Sequence, residues 1–365
     1  MPLATALVTG NDPLPQLAEE AVAQALEKAG LTQASGVLLF LTPEFARQAR
    51  QAVTAAARAA QCLQLAGGIA SGVLTESGWA LDRPAAAVMV FGEEITLVPP
   101  VTDAACLFSY SGGTFPPDWS ATGQRFGGTF SGSFAGSAIA ADPVVWQQGR
   151  PSDTNRCEAR IVGAKLAFGV SRGLYPLGRP HRVERCNGFD LEALGGMSAR
   201  HSLLHELPPE LRTCPDLQPH HLTALLPEDD ESPERALAEG RYRPIAIIAA
   251  NADNSLTLAE RIDPGQTLAW AVRQPVAAEA DMQAAVDRLA QDMPSPAGAL
   301  MFSCIGRGPY FYGGEDRDLE TLRHRFPDLP ILGAYGTGQI APAGPARSQH
   351  LQNAVVTALI GDHAQ

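Results

Sequence analysis

Two stretches of this chain run through the same order of elements, and that repetition limits the fold more than any single motif does. Gly36-Val37-Leu38-Leu39-Phe40, a helix, Leu65-Ala66-Gly67-Gly68-Ile69-Ala70-Ser71-Gly72 and then Val88-Met89-Val90-Phe91-Gly92 form one pass. Gly298-Ala299-Leu300-Met301-Phe302, a helix, Leu332-Gly333-Ala334-Tyr335-Gly336-Thr337-Gly338 and then residues 355–361 form another. A weaker version lies between them, in Cys106-Leu107-Phe108-Ser109, the glycine-rich 126–132 and the apolar 162–169. First strand and glycine-rich element stand roughly 20–35 residues apart, a supersecondary spacing rather than a solenoid repeat. The fold this predicts is α/β, of the α+β kind. Two related halves, built on mixed, largely antiparallel sheets, form a layered sandwich with flanking helices.

Local signals place the elements. Asp12 as cap, Pro13 in the first position and Gly30 at the end bracket a first helix. A second, alanine-rich helix follows Thr42-Pro43-Glu44 up to Ala60; a third runs from Glu279 to Gln291, and a fourth over 315–325. Strands are expected at 36–41, 86–91, 105–109, 162–168, 245–250, 299–302 and 354–360, with a hairpin turn at Asn251-Ala252-Asp253-Asn254 returning through 256–261. The proline-rich, acidic stretch at about 208–243 reads as an exposed connector.

Composition narrows the function. A formal charge of -12 without any Lys/Arg cluster argues against nucleic acid and against an anionic membrane surface. No apolar run approaches the ~20 residues that span a bilayer, and the N-terminus lacks a signal-peptide pattern. The six cysteines include no Cys-x-x-Cys, so reduced thiols and a cytoplasmic location are expected. No cofactor or metal is expected. His201 and His205 share a helix face but lack an interpretable third ligand, and His220-His221 falls in the connector.

The chemistry concentrates in Cys304-Ile305-Gly306-Arg307-Gly308. Glycines flanking Arg307 allow a sharp turn after a buried strand and leave the guanidinium free to meet a carboxylate or phosphate. The other reading pairs Arg307 with one of the chain's own carboxylates, such as Glu315 or Asp316. Cys304, at the strand end, is either a packed thiol or a nucleophile needing His350 as base. Residues 333–338 match neither dinucleotide nor Walker order; as a glycine-rich strand end they offer Tyr335 as a wall to a ligand, or simply a tight bend.

The segment from Gly298 to Gly308, followed by Phe326-Pro327-Asp328-Leu329-Pro330-Ile331-Leu332 and on to Gly338-Gln339-Ile340, resembles the C-terminal signature of the FIST family. Ser171-Arg172-Gly173-Leu174-Tyr175-Pro176-Leu177-Gly178 is similar to that family's Gly-x-x-Pro-x-Gly element. The resemblance implies a FIST-like N-terminal domain over 1–190 and a C-terminal domain over 191–365. It also implies a free-standing sensory input protein that binds small ligands such as amino acids or other carboxylates and acts on a signalling protein partner. The expected pocket takes Cys304, Gly306, Arg307, Gly308, Tyr335, Gly336 and Gln339, with Gly173, Tyr175 and Pro176 approaching from the N-terminal part. The family usually reads Gly-Glu-Ile where this chain has Gly338-Gln339-Ile340, which puts an amino acid ligand in question. A cysteine-dependent enzyme using Cys304 and a protein-interaction module without a small ligand are the alternatives.

Overall fold

The computed structural model describes residues 2–92, 94–100, 106–132, 143–212, 221–229 and 231–362. Cys214 and His220, singled out in the sequence, lie outside them. Strand outweighs helix, 43 to 26 %, so sheets form the frame and helices cover it. The chain divides into two compact units, one of residues 1–172 and 281–365, the other of 173–280. The first unit is therefore discontinuous in sequence. The division of the FIST family at about residue 190 is one of sequence and remains a proposal.

The first unit repeats one design three times. In each pass a buried strand pairs in parallel with a glycine-rich strand: Gly36–Leu41 with Leu65–Ile69, Leu107–Gly112 with Arg125–Phe130, and Gly298–Cys304 with Ile331–Gly336. A later strand closes each pass antiparallel to the first: Ala85–Phe91, Arg156–Val162 and Val355–Asp362. An opening strand then edges each closing one, namely Leu3–Thr9, Thr96–Val98 and Ala164–Ser171. The version that is weakest in sequence is thus a full third pass in space.

The passes are interlocked by exchange of hairpins. The hairpin Gly72–Thr75/Gly78–Leu81, which follows the first glycine-rich strand, adds to Ile331–Gly336 of the last pass. Gly338–Pro342/Ser348–Leu351, from the last pass, adds to Arg125–Phe130 of the middle one. Val145–Gln147/Arg150–Pro151, from the middle pass, adds to Leu65–Ile69 of the first. The result is three six-stranded sheets closed in a cycle, each missing a strand pair without its neighbour.

Their inner faces share one apolar core, in which Phe40 meets Tyr110 at 5.1 Å and Phe302 at 5.9 Å between ring centroids. These three aromatics stand opposite Gly68, Gly128 and Ala334, the same register position in each pass. Helices Pro15–Ala29 and Ala49–Ala60 cover the first sheet through Ala21, Val22, Ala52 and Val53. Pro275–Asp292 and Arg317–Arg325 cover the last through Met282, Val286, Leu319 and Leu322.

Several boundaries differ from expectation. Pro15 rather than Pro13 takes the first helical position, with Leu14 as cap. The apolar run 162–168 is two strands in two sheets, because Gly163 turns the chain at φ 88 where a Cβ would lie 1.7 Å from the Glu94 carbonyl oxygen. The expected connector at 208–243 holds the strand Leu222–Pro227, which lies between Tyr242–Ala250 and Thr267–Arg273. Ala224 and Leu225 are fully buried there, so apolar alternation outweighs the prolines around it. The second unit is a seven-stranded sheet, antiparallel throughout, around Leu194, Leu203, Ala224, Leu268 and Trp270.

Candidate functional site

The strand Gly298–Cys304 ends in a 3-10 turn, Ile305–Arg307, that carries Arg307 inward rather than out to solvent. Its guanidinium is 1 % exposed. Nε donates to Asp318 Oδ2 at 2.9 Å and Nη2 to Oδ1 at 2.8 Å, a bidentate pair with both partners buried. Nη2 also donates to Ser171 Oγ at 2.7 Å and Nη1 to the Ser171 carbonyl at 3.2 Å. The guanidinium expected to meet an outside anion is therefore engaged by the chain, as the own-carboxylate alternative has it, and the carboxylate is that of Asp318. Burial alone would lower the proton affinity of Arg307; Asp318 and Tyr312 outweigh it and hold the pKa above the ordinary value.

Around this pair lies a buried polar network. The Tyr312 hydroxyl donates to Asp318 Oδ1 at 2.9 Å, and Ser171 Oγ donates to Asp281 Oδ2 at 2.7 Å. Asp316 caps the helix Arg317–Arg325 by accepting from Leu319 N at 2.9 Å, and its other oxygen accepts from the Tyr335 hydroxyl. Burial, with Asp318 close by, pushes the Asp316 carboxyl up to about 7. Tyr335, expected as a stacking wall, is instead fully buried with its ring against Gly308.

Cys304 is buried and its thiol points to Asn353 Oδ1 at 3.9 Å. His350 stacks on Phe115 at 5.3 Å and lies 3.5 Å from Thr129 Oγ1. No contact joins His350 to Cys304 among the described residues, so the nucleophile and base of the alternative enzyme reading are not brought together. Gly336 packs on the Thr129 carbonyl, where a Cβ would come within 2.4 Å. Gly306 lies exposed in the turn. Gly173, Tyr175 and Pro176 belong to the second unit, the latter two on the strand Leu174–Asn187. His201 bonds Ser198 at 2.9 Å, and no group of three metal-ligating side chains gathers among the described residues.

Gln339 is the exception in this set. It is fully buried, and neither Oε1 nor Nε2 has a partner among the described residues. Its strand register puts it opposite Gly128, across which stands Tyr110. The matching positions of the other two hairpins, opposite Ala334 and Gly68, are Val73 and Val145. One of three equivalent core positions thus carries a carboxamide. Ser109, also buried and without a partner among the described residues, likewise stands where the other passes have Leu39 and Met301. The Gly-Gln-Ile departure pointed to Gln339; only the threefold register shows that its equivalents are apolar.

The architecture is that of an α+β sandwich whose singular polar groups lie inside. Residues 213–342 match the family model described as the FIST C domain, and the FIST family is thereby supported for this chain in its C-terminal part. That domain class is associated with sensing and signal transduction. The chain is 26 % identical over 206 residues to an uncharacterized protein of Mycobacterium tuberculosis, covering 52 % of this chain and 50 % of that protein. It is 27 % identical over 208 residues to an uncharacterized protein of Mycobacterium bovis, covering 56 % and 53 %. The chain spans about half the length of the curated relatives it matches. Among the described residues no helix is long and apolar enough to cross a membrane.

Proposed function

We propose that this chain is a sensory input protein that binds a small polar ligand, an amino acid or another small carboxylate, with Gln339 as its recognition contact. It would act in the cytoplasm and pass the signal to a protein partner. The observation that carries this reading is the unpaired, fully buried carboxamide where Val73 and Val145 occupy the equivalent positions. A buried amide without partners costs roughly 1–3 kcal/mol for each unmet group, a burden that a ligand able to pair both ends would remove. The carboxamide donates through Nε2 and accepts through Oε1. A carboxylate meets the first and an ammonium or hydroxyl the second.

The test is a thermal-shift screen of amino and carboxylic acids against the wild type and Gln339→Leu. A ligand that raises the wild-type melting temperature and leaves Gln339→Leu unmoved supports the assignment. Equal shifts in the two proteins remove Gln339 from the site, and no shift from any member of the panel overturns the ligand class.

A further inference from the structure

The hairpin Val145–Gln147/Arg150–Pro151 turns through Gln148 and Gly149, both left-handed at φ 53 and φ 70. Glycine or asparagine suits that conformation; glutamine there is strained, and strain of this kind gathers at ligand clamps. Beside the turn lies a groove of about 620 Å³ lined by Arg50, Arg150, Gln147, Gln148, Ser152 and Asp153. Pockets for small molecules run roughly 300–1,000 Å³.

The charges in this groove run against the chain as a whole. With a net charge of -12, acidic partners are plentiful, yet neither Arg50 nor Arg150 has one among the described residues. Arg50 sits in the first turn of Ala49–Ala60, where the helix dipole also favours an anion. Gln147 Oε1 is taken by the Glu158 N–H at 3.2 Å, so what Gln147 offers the groove is its amide nitrogen. Donors therefore dominate, with the exposed Asp153 carboxylate as the acidic group of the lining.

We propose that this groove binds a small phosphorylated polyol, such as a sugar phosphate. Arg50 and Arg150 hold the phosphate, each able to present two parallel N–H groups to its oxygens. Asp153 accepts from the ligand's hydroxyl groups and disfavours more highly charged anions. The strained Gln148 places its carboxamide over the ligand.

Calorimetric titration of the full chain at fixed ionic strength, with ribose 5-phosphate, ribose and inorganic phosphate, tests this. Ribose 5-phosphate is expected to saturate, inorganic phosphate to bind more weakly and ribose not at all. Arg50→Gln and Arg150→Gln should each weaken ribose 5-phosphate about tenfold or more, with melting temperatures unchanged because both side chains are exposed. Asp153→Asn should weaken ribose 5-phosphate and spare inorganic phosphate. Absence of saturable binding, or unaltered affinity in both arginine variants, overturns the site. Equal loss of both ligands in Asp153→Asn overturns the hydroxyl contact and with it the polyol.

Discussion

Arg307 and Asp318 meet through two parallel hydrogen bonds, 2.9 and 2.8 Å long, with both side chains out of solvent. The pair joins the turn after the central strand of the last pass to the helix covering its sheet. In the first pass Phe45 stands at the equivalent position, three residues beyond Thr42 as Arg307 is three beyond Cys304. Thr42 and Cys304 donate to equivalent carbonyls of Ala85 and Ala354. A guanidinium and its carboxylate thus fill a place that an aromatic ring fills elsewhere.

Removing one partner strands the other. Arg307→Met should destabilise the chain by about 3–5 kcal/mol, because Asp318 is left charged and unpaired inside. Arg307→Lys should recover little, since an ammonium cannot make both bonds. The double variant Arg307→Met/Asp318→Leu should be more stable than Arg307→Met alone. Urea unfolding measures all three, and additive losses in the double variant would show that the pair is not coupled.

Asp316 gives the fold a pH dependence of definite sign. Its folded carboxyl is pushed up to about 7, above the ordinary value of 3.8, by burial and by Asp318. The folded chain therefore holds this proton where the unfolded chain has lost it. The stabilisation is complete below about pH 4 and is lost as pH rises through about 7. Asp316→Asn keeps an acceptor for Leu319 N but cannot ionise. Its stability relative to wild type should rise between pH 5 and pH 8, by an amount on the order of a few kcal/mol. An unchanging difference between the two pH values would show that Asp316 does not titrate in that window.

Much of this was legible in sequence, and the omissions share a cause. The strand Gly36–Leu41 and the C-cap at Gly30 fall where apolar runs and glycine placed them, since both are local signals. The echo between passes was visible because glycine must recur where two strands crowd. What sequence did not show is non-local. Ser171 and Asp281 are brought to Arg307 across the inserted second unit, and nothing in the Gly-Arg-Gly turn distinguishes Asp318 from Glu315 or Asp316 as its carboxylate. The strand Leu222–Pro227 was hidden by the prolines around it. The third pass was obscured because its helices are absent among the described residues, with a 3-10 turn, Pro117–Ser120, standing between its two parallel strands.

The glycines that recur in the passes are open to direct test. Gly67 and Gly127 have φ 144 and φ 145, and a Cβ on either would lie 1.9 Å from the carbonyl oxygen of Leu39 or Ser109. Backbone on the adjacent parallel strand cannot yield as a side chain tip can. Gly67→Ala and Gly127→Ala should each cost more than about 4 kcal/mol, read as loss of soluble protein or a collapsed melting transition. Gly78→Ala, with φ 140 but nothing within 4 Å, is the control that isolates backbone strain from collision. A similar loss in all three would assign the effect to strain alone.

Gln339 offers the sharpest contrast between stability and function. Without ligand, Gln339→Leu should stabilise the chain by about 1–3 kcal/mol, because an unpaired buried amide is replaced by a side chain suited to its surroundings. The converse change at an equivalent position, Val73→Gln, should destabilise, since it buries a second carboxamide in the same core. Chemical denaturation of the two variants beside the wild type measures both signs in one experiment. If Gln339→Leu instead destabilises as much as Val73→Gln, the carboxamide is held by partners that contribute to folding. Gln339 would then be a structural polar group, and the recognition role assigned to it would fail even where a ligand binds elsewhere on the chain. If Gln339→Leu is more stable but blind to every ligand that shifts the wild type, stability has been given up at this one position for recognition.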